Sequence, residues 1–321
     1  MELVTRAVKG SYYLTCAGYA VANFIDARRY SAGNIETKSG TLHSGFDPAL
    51  SESYVREVFD DYKRYGNFDR FYGRVAEIGP GDNCGVGMLI AADGADFVDL
   101  VDRYYSARDP ERQAVVYQRL LEDSAEVRDR FAHADVSNEA TFTYLNRHYG
   151  PGAAAEEFFH GYQQYDFIVS RAVMEHLYDP EVALTRMAAA LKPGGRMLHK
   201  VDLRDHGMFT PRFHELKFLE VPERVYSRMT RASGRPNRIL ANRYRDALDA
   251  SGLEFEILVT GLVGVGDVVP HVPYESIAPE LRTRAEEYVE RHRDSFAAEF
   301  RTMSTADLAT TGIFVVARRP E

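Results

Sequence analysis

Two acidic residues, Glu77 and Asp102, have the types and spacing that most strongly indicate ligand chemistry in this sequence. Glu77 precedes the glycine turn at residues 79–81, and Asp102 closes the next apolar segment, residues 97–101. A glycine turn between a strand and a helix exposes free backbone N–H groups and lets a ligand approach the backbone closely. A carboxylate that ends the next strand can accept hydrogen bonds from a ribose diol. This arrangement predicts half of a nucleoside-binding site.

The spacing of the glycines separates two classes of ligand. A dinucleotide-binding turn of the form G-x-G-x-x-G requires glycine at position 84, where the chain has Cys84 and the next glycine is Gly85. In addition, Glu77 is poorly suited to face a pyrophosphate. An acid at this place suits a ligand that carries an ammonium and a sulfonium. An NAD-dependent oxidoreductase therefore remains only as an alternative.

The E-I-G-P-G-D-N turn and the acidic strand end that follows it resemble motifs I and II of class I S-adenosylmethionine-dependent methyltransferases. The commonest form of motif I has a third glycine where Asn83 stands. A second passage, S-R-A-V-M-E-H-L…L-K-P-G-G, begins at Ser170 and resembles the motif IV to motif VI region of the same class. The two passages occur in the expected order and together cover residues 74–202.

This resemblance implies an α/β fold with a Rossmann-like, seven-stranded, mostly parallel sheet and helices on both faces. It also implies a terminal hairpin of strands six and seven with the last strand antiparallel, and S-adenosylmethionine as the cofactor. The residues that it places around the cofactor are Glu77 at the methionine end, Gly79, Pro80, Gly81 and Asn83 in the turn, Asp102 and Arg103 at the ribose, Glu156 at the adenine, and Ser170 and Arg171 at the fourth strand. Asp135 competes with Glu156 for the adenine.

Apolar periodicity and turn signals predict the elements that position these residues. The predicted strands after the first two cover residues 141–149, 166–169, 196–201, 255–263 and 310–318, and the predicted helices cover 178–191, 235–250 and 281–300. Glycine and proline in residues 264–279 predict a loop. The charged segment 108–131 has helical periodicity and is typical of an exposed amphipathic insert.

The chain divides into a predicted N-terminal helical cap, residues 1–72, and a methyltransferase-like domain, residues 73–321, with insertions at about 106–140 and 207–235. Within the cap, helices are predicted at 11–29 and 51–65, joined by a turn-rich segment at 33–47. The cap is interpreted either as a lid over the ligand or as helices that only pack on the sheet edge.

The loop after the strand at residues 196–201 offers candidates for catalysis, since α/β proteins bind ligands at the carboxyl ends of parallel strands. Asp205 and His206 follow this strand, and His206 could take a proton from an attacking hydroxyl or amine. The pair Glu175 and His176 is a second candidate, with His176 as the catalytic residue, whereas the resemblance places this pair in the first turn of a helix beside the methionine part of the cofactor. A helix-capping Asp and a structural His are the alternative. The spacing of Asp202, Asp205 and His206 does not match a standard metal site, so no metal is predicted.

Composition limits the possible partners. The net charge of −9 over 321 residues disfavours nucleic acid. The two cysteines suggest neither a disulfide framework nor a thiolate metal site, and neither a signal-peptide pattern nor an apolar run of about 20 residues is present, which predicts a cytoplasmic protein with no membrane partner. A homo-oligomer is left open.

The predicted function is methyl transfer from S-adenosylmethionine to an oxygen, nitrogen or carbon nucleophile of a small-molecule acceptor. A secondary metabolite or a sugar-containing compound is the expected acceptor. Besides the oxidoreductase, a partner subunit that binds the cofactor but lacks activity is retained as an alternative.

Overall fold

The computed structural model describes residues 11–37, 40–160 and 164–321. Residues 1–10 of the predicted cap, and residues 38 and 39 of its turn-rich segment, lie outside the described residues. In the described part of the chain the strands are β1 (Glu36–Thr37), β2 (Gly73–Ile78), β3 (Ala95–Asp102), β4 (Tyr105–Ser106), β5 (Leu145–Tyr149), β6 (Tyr165–Arg171), β7 (Leu191–Asp202), β8 (Glu254–Leu262), β9 (Gly266–Val272) and β10 (Thr310–Arg318).

Eight of these strands form one sheet in the order β5-β3-β2-β6-β7-β10-β8-β9. The first five are parallel, whereas β10 is antiparallel to both β7 and β8. The predicted mostly parallel sheet with an antiparallel last strand is therefore confirmed. The eighth strand, β9, occupies the first half of the region that was predicted to be a loop, 264–279. Pro270 is compatible with β9 because the strand lies at the sheet edge, where a missing N–H costs no ladder hydrogen bond.

The helices of the described chain are α1 (Tyr12–Ser31), α2 (Leu42–Gly45), α3 (Pro48–Gly66), α4 (Gly85–Asp93), α5 (Pro110–Asp123), α6 (Ala125–Arg130), α7 (Ala155–Phe158), α8 (Pro180–Ala190), α9 (Glu223–Thr230), α10 (Ala241–Ala250), α11 (Pro279–His292), α12 (Ala298–Arg301) and α13 (Thr305–Ala309). Three of them, α3, α5 and α8, begin at an Asp-Pro pair. The Asp side chain accepts a hydrogen bond from the backbone N–H of the third residue after it, and proline provides the preset φ of the first helical position.

Two hydrophobic cores lie on the two faces of the sheet, because neighbouring strand residues point to opposite sides. On one face Phe167 and Phe314 pack with residues of α3, α4 and α5, including Tyr62 and Tyr117. On the other face their neighbours Ile168 and Ile313 pack with α8 and α10. The prediction of an exposed insert at 108–131 is wrong for α5, which buries Val116, Tyr117 and Leu120 in the first core.

The parallel topology brings the carboxyl ends of β2, β3, β5, β6 and β7 to one edge of the sheet. An N-terminal segment crosses this edge. Its strand β1 pairs in parallel with β4, where the N–H groups of Tyr105 and Ala107 donate to the carbonyls of Ile35 and Thr37 at 2.9 and 2.8 Å. We call residues 35–37 and 40–46 the strap. No helix in the described residues has the length and apolar character needed to cross a membrane.

Candidate functional site

A cavity of about 1180 Å³ lies at the carboxyl edge of the sheet, between the strap and the turns that follow β2, β3 and β6. The predicted site residues that line it are Glu77, Gly79, Pro80, Gly81, Asn83, Asp102, Arg103, Arg171 and His176. Glu156, Ser170, Asp205 and His206 are not among its lining residues. Glu77 and Asp102 thus face one shared cleft, although they lie on different strands.

Glu77 lines this cavity, and one of its carboxylate oxygens is buried without a hydrogen-bond partner in the described chain. It lies on the central strand β2, opposite Leu100 of β3 and Val169 of β6, and is only 5% exposed. Its Oε2 atom has no hydrogen-bond partner in the part of the chain that the structure describes. Burial raises the pKa of Glu77 to about 8, although the positive charge of Arg108 acts in the opposite direction. A positively charged ligand group would satisfy this oxygen and favour the ionised form.

The turn after β2 requires glycine at two positions. Gly79 and Gly81 have φ values of +68° and +65°. A Cβ atom on Gly79 would lie 2.3 Å from Val173 Cγ2, and one on Gly81 would lie 2.8 Å from the carbonyl oxygen of Gly40. A side chain at either position would therefore displace a wall of the cavity.

Asn83, which stands where the commonest motif has a third glycine, helps to start α4. Its Oδ1 accepts a hydrogen bond from the N–H of Gly85 at 2.6 Å, and its Nδ2 donates to Gln113 Oε1. These contacts link the glycine turn to α5, so the amide performs a structural task that glycine could not. Asn83 is buried and also lines the cavity.

Asp102 ends β3, and its Oδ1 accepts a hydrogen bond from the N–H of Tyr104 at 2.9 Å. Burial raises the pKa of Asp102 to about 6. The neighbouring Arg103 turns its guanidinium over the ring of Tyr178, 3.9 Å from the ring centroid, and donates to Glu156 Oε2 at 3.1 Å. Asp102 therefore presents an acceptor to the cavity, while Arg103 forms a fixed part of the wall.

Neither of the two acids predicted at the adenine faces the cavity. The carboxylate of Glu156 accepts hydrogen bonds from Arg103 and from the N–H groups of Tyr178 and Asp179, at 2.7 and 3.1 Å. Asp135 is exposed and accepts from Ser137 within its own turn. Both carboxylates hold loops in place, and the neighbouring Ala155 reaches the cavity instead.

At the end of β6 the two predicted cofactor residues differ. The hydroxyl of Ser170 is buried and lies 2.8 Å from His199 Nδ1, so it is used within the sheet. Arg171 lines the cavity and donates to Asp61 and Glu57 of α3 at 2.6 and 2.5 Å. Arg171 thus attaches α3 to the sheet beside the ligand space.

Asp205 is 2% exposed, and its carboxylate binds its own loop. It accepts hydrogen bonds from the N–H groups of Gly207, Phe209 and Thr210 and from the Thr210 hydroxyl, at 2.7 to 3.2 Å. These four donors use the oxygens that catalysis would need. We therefore assign Asp205 a structural role in place of the predicted catalytic one.

The two predicted catalytic histidines lie together. His176 lines the cavity, and the ring of His206 contacts its ring edge-on with centroids 4.9 Å apart. His206 Nε2 lies 3.4 Å from Asp202 Oδ2 and 3.9 Å from Glu175 Oε1. These carboxylates raise the pKa of His206 against the effect of burial, whereas burial lowers the pKa of His176 to about 4. Glu175, the other member of the predicted pair with His176, lies beside both histidines.

Asp82 was not predicted from sequence as a site residue, although it follows the glycine turn directly. Its buried carboxylate accepts from the N–H groups of His43 and Ser44 at 3.2 and 2.9 Å, and from the Ser44 hydroxyl at 2.6 Å. The N–H of Asp82 in turn donates to the Gly40 carbonyl at 3.0 Å. Asp82 therefore fastens the strap to the glycine turn. No local signal reveals this role, since its partners lie about 40 residues earlier.

Arg108 is a second residue that sequence reasoning missed. Its guanidinium is buried beneath the glycine turn and donates to Glu139 Oε1 at 2.6 Å, to the Tyr149 hydroxyl at 2.7 Å and to the Gly81 carbonyl at 3.3 Å. The same side chain lies 3.3 Å from Cys84 Sγ. The positive charge of Arg108 acts to lower the pKa of Glu77, and its hydrogen bond to the Gly81 carbonyl supports the glycine turn.

The chain was compared with known proteins. A family model described as a methyltransferase domain matches residues 51–255. No curated protein matches the chain.

Several solved structures are similar to it. Phosphoethanolamine N-methyltransferase 2 of Haemonchus contortus, in complex with S-adenosyl-L-methionine, has 16% identity and a TM-score of 0.43 over 84% of this chain and 53% of that chain. This chain thus spans about half the length of that enzyme. The YcgJ protein of Bacillus subtilis has 15% identity and a TM-score of 0.41 over 83% and 99%. An S-adenosylmethionine-dependent methyltransferase of Mesorhizobium loti has 13% identity and a TM-score of 0.42 over 83% and 100%.

If Asp102 binds ribose hydroxyls, the substitution Asp102→Ala should weaken cofactor binding. We expect a loss of about 1 to 3 kcal/mol, because the ligand hydroxyls would lose a charged acceptor. The measurement is calorimetric titration with S-adenosylhomocysteine. Asp96→Ala, at an exposed position of the same strand, is the matched control and should bind like wild type. Unchanged affinity in Asp102→Ala would show that the ribose is placed wrongly.

The buried carboxyl group of Glu77 predicts a pH dependence of stability in the ligand-free chain. Its pKa is raised from 4.5 to about 8 on folding, so between these values the folded chain holds a proton that the unfolded chain has released. Rising pH therefore favours unfolding over this range, by up to about 1.4 kcal/mol per pH unit from this group. Glu77→Gln should lack this contribution.

Urea unfolding at several pH values, with wild type and Glu77→Gln compared, checks this expectation. Glu254→Gln, at an exposed position of β8, serves as the control and should keep the wild-type dependence. Identical pH dependence in wild type and Glu77→Gln would contradict the prediction.

Proposed function

Because this chain belongs to the methyltransferase-domain family, whose members use S-adenosylmethionine, we propose that it transfers a methyl group from this donor to a small-molecule acceptor. The accepting atom is an oxygen, a nitrogen or a carbon nucleophile. The observation that carries the proposal is that Glu77 and Asp102 line one cavity, and that an oxygen of Glu77 has no partner in the described chain.

The residues around the cavity fit S-adenosylmethionine. Glu77 would hold the ammonium of its methionine part, since an unpaired buried carboxylate binds a cation well. The turn at Gly79 and Gly81 lets the backbone approach the ligand, and Asp102 would accept hydrogen bonds from the ribose hydroxyls. Arg103 would form the neighbouring wall. The nicotinamide alternative lacks support, because Cys84 occupies the position of the required glycine and the family match is to methyltransferases.

When bound, S-adenosylmethionine supplies a methyl group on a positively charged sulfur. The sulfur leaves readily because it departs as a neutral thioether. The chain therefore has to align the acceptor and exclude water. The strap serves the second purpose, because Gly40, Thr41, Leu42 and His43 all line the cavity. Asp82 holds this segment down through its hydrogen bonds to His43 and Ser44.

We further propose that the N-terminal cap acts as a lid over the acceptor. Its helix α1 packs against α9, with Asn23 Oδ1 accepting from the N–H of Ala232 at 2.9 Å and Asp26 Oδ2 lying 3.3 Å from Arg235 Nη1. Tyr12 stacks on Phe209 with centroids 5.9 Å apart. These contacts join the cap to the predicted insertion at 207–235.

The acceptor side of the cavity has a polar wall. Asp26 and Arg29 of α1, the segment 233–235 and His176 all contribute to it. Such a wall, covered by α1 and the strap, suits a compact molecule with hydroxyl or amino groups, for example a sugar-containing secondary metabolite. The net charge of −9 disfavours a polyanionic acceptor.

The proposal is tested by incubating the purified chain with methyl-labelled S-adenosylmethionine and an extract of small metabolites. Mass spectrometry should show a metabolite that gains one methyl group and an equal amount of S-adenosylhomocysteine. Glu77→Gln should reduce turnover at low donor concentration, and Asp96→Ala should not. Binding of the donor without any methylated product would favour the inactive partner subunit, and binding of NADH in its place would favour the oxidoreductase.

The strap provides a separate prediction. Ser44→Ala removes the 2.6 Å hydrogen bond to the Asp82 carboxylate, and hydrogen bonds to charged groups contribute about 1.5 to 3 kcal/mol. We therefore expect the KM for the methyl donor to rise about tenfold or more. The control is Ser53→Ala, an exposed position on α3. A donor KM equal to that of wild type would mean that closure of the strap does not contribute to donor binding.

A further inference from the structure

Three potential metal ligands meet beside the cavity, and one of them, His176, lines it. Glu175 and His176 lie in the turn after β6, and His206 lies in the loop after β7. Each offers one ligand atom, and these atoms all lie within 4.8 Å of one another. The separation of His206 Nε2 and Glu175 Oε1 is 3.9 Å, so small side-chain rotations suffice to bring both atoms onto one ion.

Two of these groups have buried atoms without a partner among the described residues. Glu175 is 2% exposed, and its Oε2 has no hydrogen-bond partner, whereas its Oε1 accepts from the N–H of Asp202 at 3.3 Å. The Nδ1 atom of His176 is also buried and unpartnered. A buried acceptor without a donor is costly and requires an explanation, and a bound metal ion would supply the missing partner.

The contacts of the two histidines show which of their atoms can bind an ion. The Nδ1 atom of His176 is buried and has no hydrogen-bond partner in the described chain, so it can act as a ligand atom. Asp202, which is paired with Arg204 at 2.6 Å, lies 3.4 Å from His206 Nε2, so binding of an ion to this nitrogen would replace its contact with Asp202 and leave a negative charge beside the cluster.

We propose that Glu175, His176 and His206 bind a divalent transition-metal ion. Two imidazole nitrogens and one carboxylate oxygen are a donor set that suits Zn²⁺ or Fe²⁺ and leaves coordination positions open. Since His176 lines the cavity, an open position can face the acceptor. The prediction of no metal considered the spacing of Asp202, Asp205 and His206. The fold instead joins His206 to a Glu-His pair 30 residues earlier.

The role of the ion rests on the proposed methyl transfer. A hydroxyl of the acceptor that binds the ion has a lowered pKa and loses its proton to solvent. The oxygen then forms a bond to the methyl carbon while the carbon–sulfur bond breaks, and S-adenosylhomocysteine leaves with the electron pair. Two neutral histidines thus act as ligands, and neither has to act as the general base.

The test is equilibrium dialysis of the full, metal-stripped chain against Zn²⁺, with the bound metal counted per chain. Visible absorption after loading with Co²⁺ reports the ligand geometry. We expect wild type to bind one ion, and Glu175→Gln, His176→Gln and His206→Gln each to weaken binding by more than about tenfold. His133→Gln, which removes an exposed histidine elsewhere, is the matched control and should bind like wild type.

Less than one ion per chain in wild type, or wild-type affinity in Glu175→Gln, would overturn the assignment. Circular dichroism shows whether each variant is folded. If the buried Glu175→Gln does not fold, the exposed His206→Gln variant carries the test. Titration of the same samples with S-adenosylhomocysteine separates the two proposals, because failure to bind this ligand argues against the proposed function while the metal count stands by itself.

Discussion

One carboxylate oxygen of Glu77 is buried without a hydrogen-bond partner in the described chain. This burial is unfavourable, and the rest of the site surrounds it. An unsatisfied buried acceptor costs about 1 to 3 kcal/mol. The cost is fixed by the sheet, because β2 is paired on both sides and its register determines which side chains reach the carboxyl edge. Arg108 reduces the cost through its charge but forms its hydrogen bonds with Glu139, Tyr149 and Gly81. On the proposed function, the cationic group of the ligand would supply the missing partner.

The glycine turn connects this carboxylate to the N-terminal segment. Gly81 approaches Gly40 so closely that a Cβ atom would collide with its carbonyl oxygen, and Asp82 accepts three hydrogen bonds from the strap. The glycine turn thus has two roles: its backbone lines the cavity, and it anchors the strap, which also lines the cavity. Both depend on Gly81, whose φ of +65° few other residues adopt.

The charged and polar groups around the cavity differ in how far they are paired. Beside Asp102, Arg103 is paired with Glu156. His176, which also lines the cavity, and the neighbouring Glu175 retain unpartnered atoms within the described chain. On the proposals above, the paired groups form a fixed wall beside the methyl donor, and the unpartnered atoms bind a metal ion.

Local sequence patterns were sufficient for much of the fold. The glycine turn with its acidic strand end and the passage from Ser170 resemble methyltransferase motifs, and this resemblance predicted the parallel core; the family match to methyltransferases agrees with it. Such features act over a few residues, so they can be recognised without knowing what packs beside them. The same local reasoning failed for β9 and α5, because whether a segment joins a sheet edge or a core is settled by its neighbours in space.

The sequence by itself was sufficient to predict that Glu77, the glycine turn and Asp102 lie together, because they belong to one continuous strand, turn, helix and strand. Only the tertiary structure decided the rest. In the folded chain the carboxylates of Glu156 and Asp205 accept hydrogen bonds from backbone N–H groups. Both residues therefore hold loops in place. The tertiary structure also brought Asp82 to the strap and His206 to Glu175 and His176 across separations of 30 residues or more. Contacts of that range follow from strand order, which no short motif encodes.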